Sequence, residues 1–367
     1  MRVHLVDPSA YTPPYDNALA AALTRAGAEV DLVTSAFAYG SVPAPDGYAV
    51  REIFYRHARG EPGSRFRRVT KLAEHVPDML RYRRAAEAAD VVHFQWLALQ
   101  WLDPWLLPDR PIVVTAHDLL PREPRPGQAW AQRRCYEAAD ALIVHSEYGR
   151  RQLIDAAAVD SAKVHVIHHG AFDYLTGLPR EDPLTPELRH VEGPVVLFFG
   201  LLRPYKGIEV LLDAWRDVRG AELWIVGRPR MPIEPLTDRA PAGVRFLPRF
   251  VGESEIPALF GRADIVVLPY SRTERFDFSG VLATALAFGK PVVLTEIGGF
   301  SEVADTGAAL LVPPDDPDAL RAALSSLIDD PGARERMAAA ATAAAAGPYS
   351  WDESARRTLE LYRTLAA

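Results

Sequence analysis

The sequence predicts an α/β protein of two doubly wound parallel-sheet domains separated by a cleft. Three observations carry this. Short runs of Val, Ile and Leu alternate with stretches of helical length along nearly the whole chain. Such near-continuous apolar runs are strands buried on both faces, as in parallel sheets covered by helices. The rhythm lapses once, between Leu175 and Pro194, and resumes at Val195; and 367 residues exceed one ordinary core.

In chain order, the first group of strands is Val3–Val6, Val30–Thr34, Val91–Gln95, Ile112–Ala116, Ala141–His145 and Val164–Ile167. The second is Val195–Phe199, Glu222–Val226, Val244–Leu247, Ile265–Leu268, Val292–Thr295 and Ala309–Val312. Strand–helix alternation of this kind builds doubly wound sheets. Asp16 is expected to cap a helix running to Arg25, with Gly27 just past its end. Asp316-Pro317-Asp318 starts another helix, with proline at the first helical position and acids in the first turn. The expected domains are 1–174 and 175–349, with a lone amphipathic helix over 350–367 that has no following strand.

Composition narrows the function. A hydrophobic content of 49% with 24% charged residues is that of a globular protein, and no run approaches the length of a membrane span. The net charge of −7 argues against a dedicated nucleic-acid binder. Cys135 is the single cysteine, so neither a disulfide framework nor a thiolate metal cage is expected. The start of the chain reads as a strand rather than a secretory signal, and a cytoplasmic protein is the simplest expectation. Arg65–Arg84 interleaves basic and apolar residues, so peripheral contact with the inner face of the membrane stands beside the ordinary reading of a solvated helix.

Only four of the 41 basic residues are lysines, which singles out Lys206. It lies in Phe199-Gly200-Leu201-Leu202-Arg203-Pro204-Tyr205-Lys206-Gly207, a loop leaving a buried strand. Loops at the carboxyl ends of parallel strands are where α/β proteins bind ligands. An arginine fork and a lysine point charge, three residues apart, suit a diphosphate. The loop is neither a Walker loop nor a dinucleotide fingerprint, since G-x-G-x-x-G occurs nowhere. A solvated loop is the alternative.

Ser279 and Gly280 open a helix that closes at Gly289-Lys290-Pro291. Its unpaired N–H groups form an anion site that gains weight beside Arg203 and Lys206; a buried, capped helix that binds nothing is the alternative. His117, followed by Asp118, ends a buried strand and so sits at the ligand edge of the first sheet. Tyr11, Tyr15 and Asp16 lie after the first strand, where they either shape an acceptor pocket or pack internally.

Taken together these blocks resemble the GT-B glycosyltransferases, specifically the retaining glycosyltransferases of family 4. The resemblance spans Ala89–His93, Ala139–Ser146, Val166–Gly170, Phe199–Gly207, Ala263–Tyr270 and Ala287–Val293, in the family's order. It implies two Rossmann-like domains, the first for the acceptor and the second for a nucleotide-diphosphate-sugar donor, with the last helix crossing back onto the first. Arg203 and Lys206 match the diphosphate-binding pair, and His117 matches a histidine near the reacting centre; these three form the implied catalytic set. Ser279, Gly280 and Val281, with Gly200 and Leu282 beside them, match the phosphate-binding backbone. Arg249 and Phe250, with Gly227 and Arg228, match loops beside the nucleobase. Tyr11, Tyr15, Asp16 and Asp118 stand on the acceptor side.

One departure is plain. The family carries two glutamates eight positions apart, and here those positions hold Phe276 and Thr284, with Glu274 and Asp277 near the first. Thr284 cannot reproduce a carboxylate's acceptors, so ribose binding is expected to differ. The expected chemistry is glycosyl transfer to a glycan, lipid or small-molecule hydroxyl, with retention and with neither metal nor cofactor beyond the donor. The rival readings are a non-catalytic nucleotide-sugar-binding protein and a GT-B nucleotide-sugar epimerase.

Overall fold

A computed structural model describes residues 1–38, 40, 42–119, 126–179, 184, 188, 191–273 and 277–367. The chain forms two units. The first comprises Met1–Gly170, a short piece ending at Asp277, and Trp351–Ala367; the second is built from the chain between Ala171 and Ser350.

The first unit holds β1 (Arg2–Asp7), β2 (Glu29–Thr34), β3 (Ala49–Glu52), β4 (Val91–Phe94), β5 (Ile112–Thr115), β6 (Ala141–Val144) and β7 (Val164–Val166). They form one parallel sheet in the order β3-β2-β1-β4-β5-β6-β7, with Leu5 opposite Leu32 on one side and His93 on the other. Its helices are α1 (Pro13–Arg25), α2 (Arg65–Ala85), α3 (Gln128–Ala138) and α4 (Glu147–Asp155). The second unit holds β8 (Val195–Phe199), β9 (Glu222–Val226), β10 (Val244–Leu247), β11 (Ile265–Leu268), β12 (Val292–Thr295) and β13 (Ala309–Val312), parallel in the order β10-β9-β8-β11-β12-β13. Its helices are α5 (Ile208–Trp215), α6 (Glu234–Thr237), α7 (Ile256–Arg262), α8 (Gly280–Ala287), α9 (Phe300–Ala304), α10 (Pro317–Asp329) and α11 (Pro331–Ala346). A final helix, α12 (Trp351–Ala366), belongs to the first unit. Among the described residues no helix is long and apolar enough to cross a membrane.

The apolar runs read as strands are strands, most of them buried between helices: Val91, Val92 and Phe94 are wholly covered, as are Ile265, Val266 and Val267, whereas the edge strand β10 is only partly covered. β3 escapes that pattern. All four of its residues are exposed, and it is held at the sheet edge by pairing with β2 and by Arg51 Nε donating to the buried Asp31 at 2.9 Å. The helix start assigned to Asp16 is corrected. Helix α1 begins four residues earlier, with Thr12 at the cap position and Pro13 at N1, which leaves Asp16 inside the first turn. Proline's fixed φ favours that earlier start. Asp316 does cap α10, accepting from the N–H groups of Asp318 and Ala319 at 3.1 and 2.9 Å.

Strand order reverses between β1 and β4 in the first sheet and between β8 and β11 in the second. At such switch points the loops leaving the carboxyl ends diverge and open a crevice for ligand. They place Asp7–Thr12 beside Gln95–Trp96 in one unit, and Gly200–Arg203 beside Pro269–Tyr270 in the other.

Candidate functional site

In the second unit the loops after β8 and β9 run side by side. Gly200 N–H donates to Val226 O and Leu202 N–H to Arg228 O, both at 3.0 Å, and Arg230 N–H returns to Leu202 O at 2.9 Å. The closeness demands glycine. A Cβ on Gly227, whose φ is +145°, would stand 1.8 Å from Gly200 O, and one on Gly207, at φ +70°, 1.7 Å from Pro269 O.

Gly207 ends the single 3-10 turn Pro204–Lys206 and folds Lys206 inward, leaving it 7% exposed. The ammonium donates to the Tyr270 hydroxyl at 2.9 Å and lies 4.8 Å from that ring's centroid. The same hydroxyl is 3.2 Å from Ser279 Oγ. A Cβ on Gly200 would meet Lys206 Nζ at 3.1 Å and Val281 Cγ2 at 3.2 Å. Gly200, Lys206, Ser279 and Val281 are therefore brought together as the sequence reading grouped them. Tyr270 joins them and was not among the candidates, although its place just past β11 at the switch point marks it.

Ser279 occupies the cap position of α8, but its side chain makes no capping bond. The first intrahelical donor is Ala283 N–H, to Ser279 O at 3.0 Å, so the N–H groups of Gly280, Val281 and Leu282, at the positive end of the helix, have no partner among the described residues. Leu282 offers only its backbone there, for its side chain is wholly in the core. Arg203 is half-buried and extended, at φ −131° and ψ 153°. Among the described residues neither its guanidinium nor that of exposed Arg228 has an ion-pair or hydrogen-bond partner. Arg249 differs: Glu255 clamps it at 2.6 and 3.0 Å, raising the guanidinium's affinity for its proton and lowering that of the carboxylate. Phe250 beside it is exposed at the carboxyl end of β10. The Thr284 hydroxyl is spent on Gly280 O at 2.9 Å. Glu274 lies outside the described residues.

The structure sets Asp277 apart from this group. It belongs to the first unit, where its buried carboxylate accepts from the His145 N–H at 2.7 Å and from the Ser146 hydroxyl. Ser146 in turn caps α4 through Gly149 N–H at 2.9 Å, and a Cβ on Gly149 would fall 2.8 Å from the Asp277 oxygens. Asp277 thus has a structural partner that the donor-side reading did not foresee.

At the carboxyl edge of the first sheet, His117 stacks on Trp96 at 5.1 Å between centroids, and its Nε2 donates to Gln95 Oε1 at 3.0 Å. Tyr15 meets His117, His169 and Trp351 edge-on at 4.7, 4.9 and 5.0 Å, and His145 lies 5.5 Å away. Desolvation first, then neighbouring imidazoles, holds His117 well below the ordinary histidine range and His169 down at about 3. Desolvation likewise lowers His93 to about 3 and His145 to about 4. These rings are neutral at physiological pH and act as aromatic faces and hydrogen-bonding groups.

Of the acceptor candidates, Tyr11 is exposed beside Trp96, and Asp118 is half-buried with its carbonyl accepting from Gln132 Nε2 at 2.8 Å. Tyr15 and Asp16 are buried, so the packing alternative describes them in this conformation. Burial, and after it the charge of Asp7, raises the Asp16 pKa well above the carboxylate range, and Asp16 gives its proton to Asp7. Asp7 accepts further N–H bonds from Ser9 and Thr12 at 3.2 and 3.1 Å. Asp7, Gln95 and Trp96 were not singled out from the sequence, unlike Asp16. Each sits at the end of β1 or β4, so the switch-point rule would have found them.

Residues 17–171 match the model of Glycosyltransferase Family 4, and residues 193–330 that of Glycosyl transferases group 1. Relatives include the D-inositol 3-phosphate glycosyltransferase of Kineococcus radiotolerans, 30% identical over 399 aligned positions that cover 94% of this chain and 88% of the relative. The enzyme of the same name from Xylanimonas cellulosilytica is 30% identical over 386 positions, covering 94% and 89%. Among solved structures, sucrose-phosphate synthase from Thermosynechococcus elongatus is similar with a TM-score of 0.78 at 20% identity, covering 100% of this chain and 99% of that one. Anabaena HepE in complex with UDP-glucose has a TM-score of 0.75 at 20% identity and full coverage of both chains. The matched segments run through both sheets in order, and the chain belongs to the family 4 glycosyltransferases, with the GT-B fold.

Proposed function

We propose that this protein moves a glycosyl group from a nucleotide-diphosphate sugar to an acceptor hydroxyl, with retention at the anomeric carbon and without a metal ion. The observation that carries the reading is the buried Lys206 ammonium, held by Tyr270 beside the uncapped start of α8, at the end of a loop that also carries Arg203, whose guanidinium has no partner among the described residues. In the reaction the bond from the anomeric carbon to the diphosphate oxygen breaks, and its electron pair stays on the diphosphate. The acceptor oxygen bonds to that carbon from the leaving-group face, and its proton passes to the departing phosphate oxygen. Charge therefore grows on the diphosphate as the barrier is crossed, and donors already aimed there lower the barrier more than they strengthen ground-state binding. In this reading His117, neutral and held by Gln95 and Trp96, contacts the sugar or the acceptor rather than taking a proton; its lowered pKa supports that choice.

Phe250 offers an exposed ring face for the nucleobase, and the neighbouring β9 loop carries Arg228, exposed and without a side-chain partner among the described residues. Thr284 gives the ribose no carboxylate, so base stacking and phosphate contacts supply most of the donor's affinity.

A thermal-shift screen against nucleotides and nucleotide sugars tests the donor, because a ligand that binds only the native state raises Tm by mass action. UDP-glucose and D-inositol 3-phosphate, drawn from the relatives, belong in the panel as donor and acceptor probes. A stabilising nucleotide sugar that is transferred with its anomeric configuration kept, at a rate unchanged by EDTA, is the expected result. Inverted product, a chelator-sensitive rate, or an epimerised donor with no acceptor present would overturn the corresponding part.

A further inference from the structure

We infer that the outward face of α2 is a docking surface for anionic phospholipid bilayers, independent of the donor and acceptor sites. Helix α2 is tied down by one face only, through buried His75, Asp78, Met79 and Tyr82. Its opposite face carries Phe66, Val69, Leu72 and Leu80, each between 48% and 63% exposed. At 3.6 residues per turn these four fall within an arc of roughly 120°. A helix that faced only water would keep such a stripe polar. This one is apolar on the side turned away from the core.

The charges fit one kind of partner. Arg65, Arg68, Arg83 and Arg84 are exposed within or beside the stripe, and among the described residues none has a side-chain hydrogen bond or ion pair. The other basic groups of the helix are occupied. Arg81 pairs with Asp78 at 2.5 Å, Arg67 donates to the carbonyls of Ala58 and Gly60, and Lys71 lies over the Tyr55 ring at 4.6 Å. No acidic residue is exposed on α2: Asp78 is buried, and Glu74 accepts from His57 N–H at 3.0 Å. An apolar stripe margined by free arginines is what an interfacial helix presents to acyl chains and anionic headgroups.

The neighbouring segment supplies the third feature. His75 of α2 bonds to Asp103 at 2.5 Å, which ties the turn Asp103–Trp105 to the helix. Around that turn Trp101, Trp105 and Trp130 are all about half exposed, with the Arg134 guanidinium 6.0 Å from the centroids of both Trp105 and Trp130. Tryptophan gathers at the headgroup layer, and arginine pairs there with anionic headgroups.

The test is co-sedimentation of the full chain with vesicles of phosphatidylcholine alone or mixed with phosphatidylglycerol. Binding is expected to the mixed vesicles, weakening with salt, and to be about tenfold or more weaker on phosphatidylcholine alone. The double variant Phe66→Ser/Leu72→Ser should lose binding at every salt concentration. Arg83→Gln/Arg84→Gln should lose about fivefold in partitioning for each arginine removed. Both variants change only exposed groups and should keep the wild-type Tm and solution turnover. Equal binding of wild type and Phe66→Ser/Leu72→Ser, or no binding to the mixed vesicles, would overturn the inference. So would sedimentation equilibrium showing a dimer that this variant dissolves and that ignores lipid, since the face would then join two copies of the chain.

Discussion

Arg203 and Lys206 are both cations, yet the structure gives them different jobs. Lys206 is buried and oriented by the Tyr270 hydroxyl, whereas half-buried Arg203 has no side-chain partner among the described residues. Arg203→Ala should lower kcat by about 10²–10³ with Tm unchanged, and Arg203→Lys should recover little, because a point charge does not replace a planar fork. Steady-state rates with the identified donor check this; an Arg203→Ala enzyme at wild-type rate would remove the diphosphate assignment. Tyr270→Phe deletes only the hydroxyl shared with Lys206 and Ser279. It should reduce kcat by about tenfold while KM for the donor changes little, since an ammonium that must find its place costs most where charge develops. Sequence reasoning reached Lys206 through the rarity of lysine but passed over Tyr270: the switch point marks its position, while its role shows only once the hydroxyl is seen to hold Lys206. Nor could it show that Asp16 is sealed inside or that Asp277 turns to Ser146, since both facts depend on residues distant in sequence.

Among the elements, those with dense aliphatic strands were legible, and β3 was not. Ala49-Val50-Arg51-Glu52 has no buried side of its own, so it exists by pairing with β2 rather than by its pattern. The histidines that end or follow β4, β5, β6 and β7 give the first sheet a definite response to acid. His93, His145 and His169 keep folded values of about 3 to 4, well under the ordinary value near 6.5 that they regain on unfolding. Below about pH 6.5 the unfolded chain therefore takes up protons that the folded chain refuses, so stability is whole above that pH and drains as pH falls towards 4. The Asp16 carboxyl works in the opposite sense: its raised value favours the folded state under acid and costs stability as pH rises through and above the carboxylate range. Urea midpoints should fall steadily from pH 7 to 5, because among the described residues the six lowered histidines (His4, His93, His117, His145, His165 and His169) outnumber the three raised carboxyls (Asp7, Asp16 and Glu253), and Asp16→Asn should raise the midpoint at pH 7. A flat profile would mean that the imidazoles are reached by water in the native state.

At the scale of the whole molecule, α12 matters most to the first unit. Trp351 packs edge-on against Tyr15, Ser354 Oγ donates to His168 O at 2.7 Å, and the Tyr362 hydroxyl meets His93 Nδ1 at 2.6 Å. A Cβ on Gly170 would stand 2.3 Å from the Trp351 ring, so the ring lies flush with that backbone. Trp351→Ala should cost about 3–5 kcal/mol in denaturant unfolding, with the loss confined to a transition reported by the first unit. A single unshifted transition would show that the ring is dispensable. Such a helix also sets an order of assembly. A ribosome that delivers the chain in sequence presents all seven strands of the first sheet long before their closing helix, while the second unit is complete once Ser350 has emerged, just ahead of that helix. Half-made chains should therefore carry an exposed seam around Tyr15 that holdase chaperones can recognise, and ribosome stalling just ahead of Trp351 would capture that state.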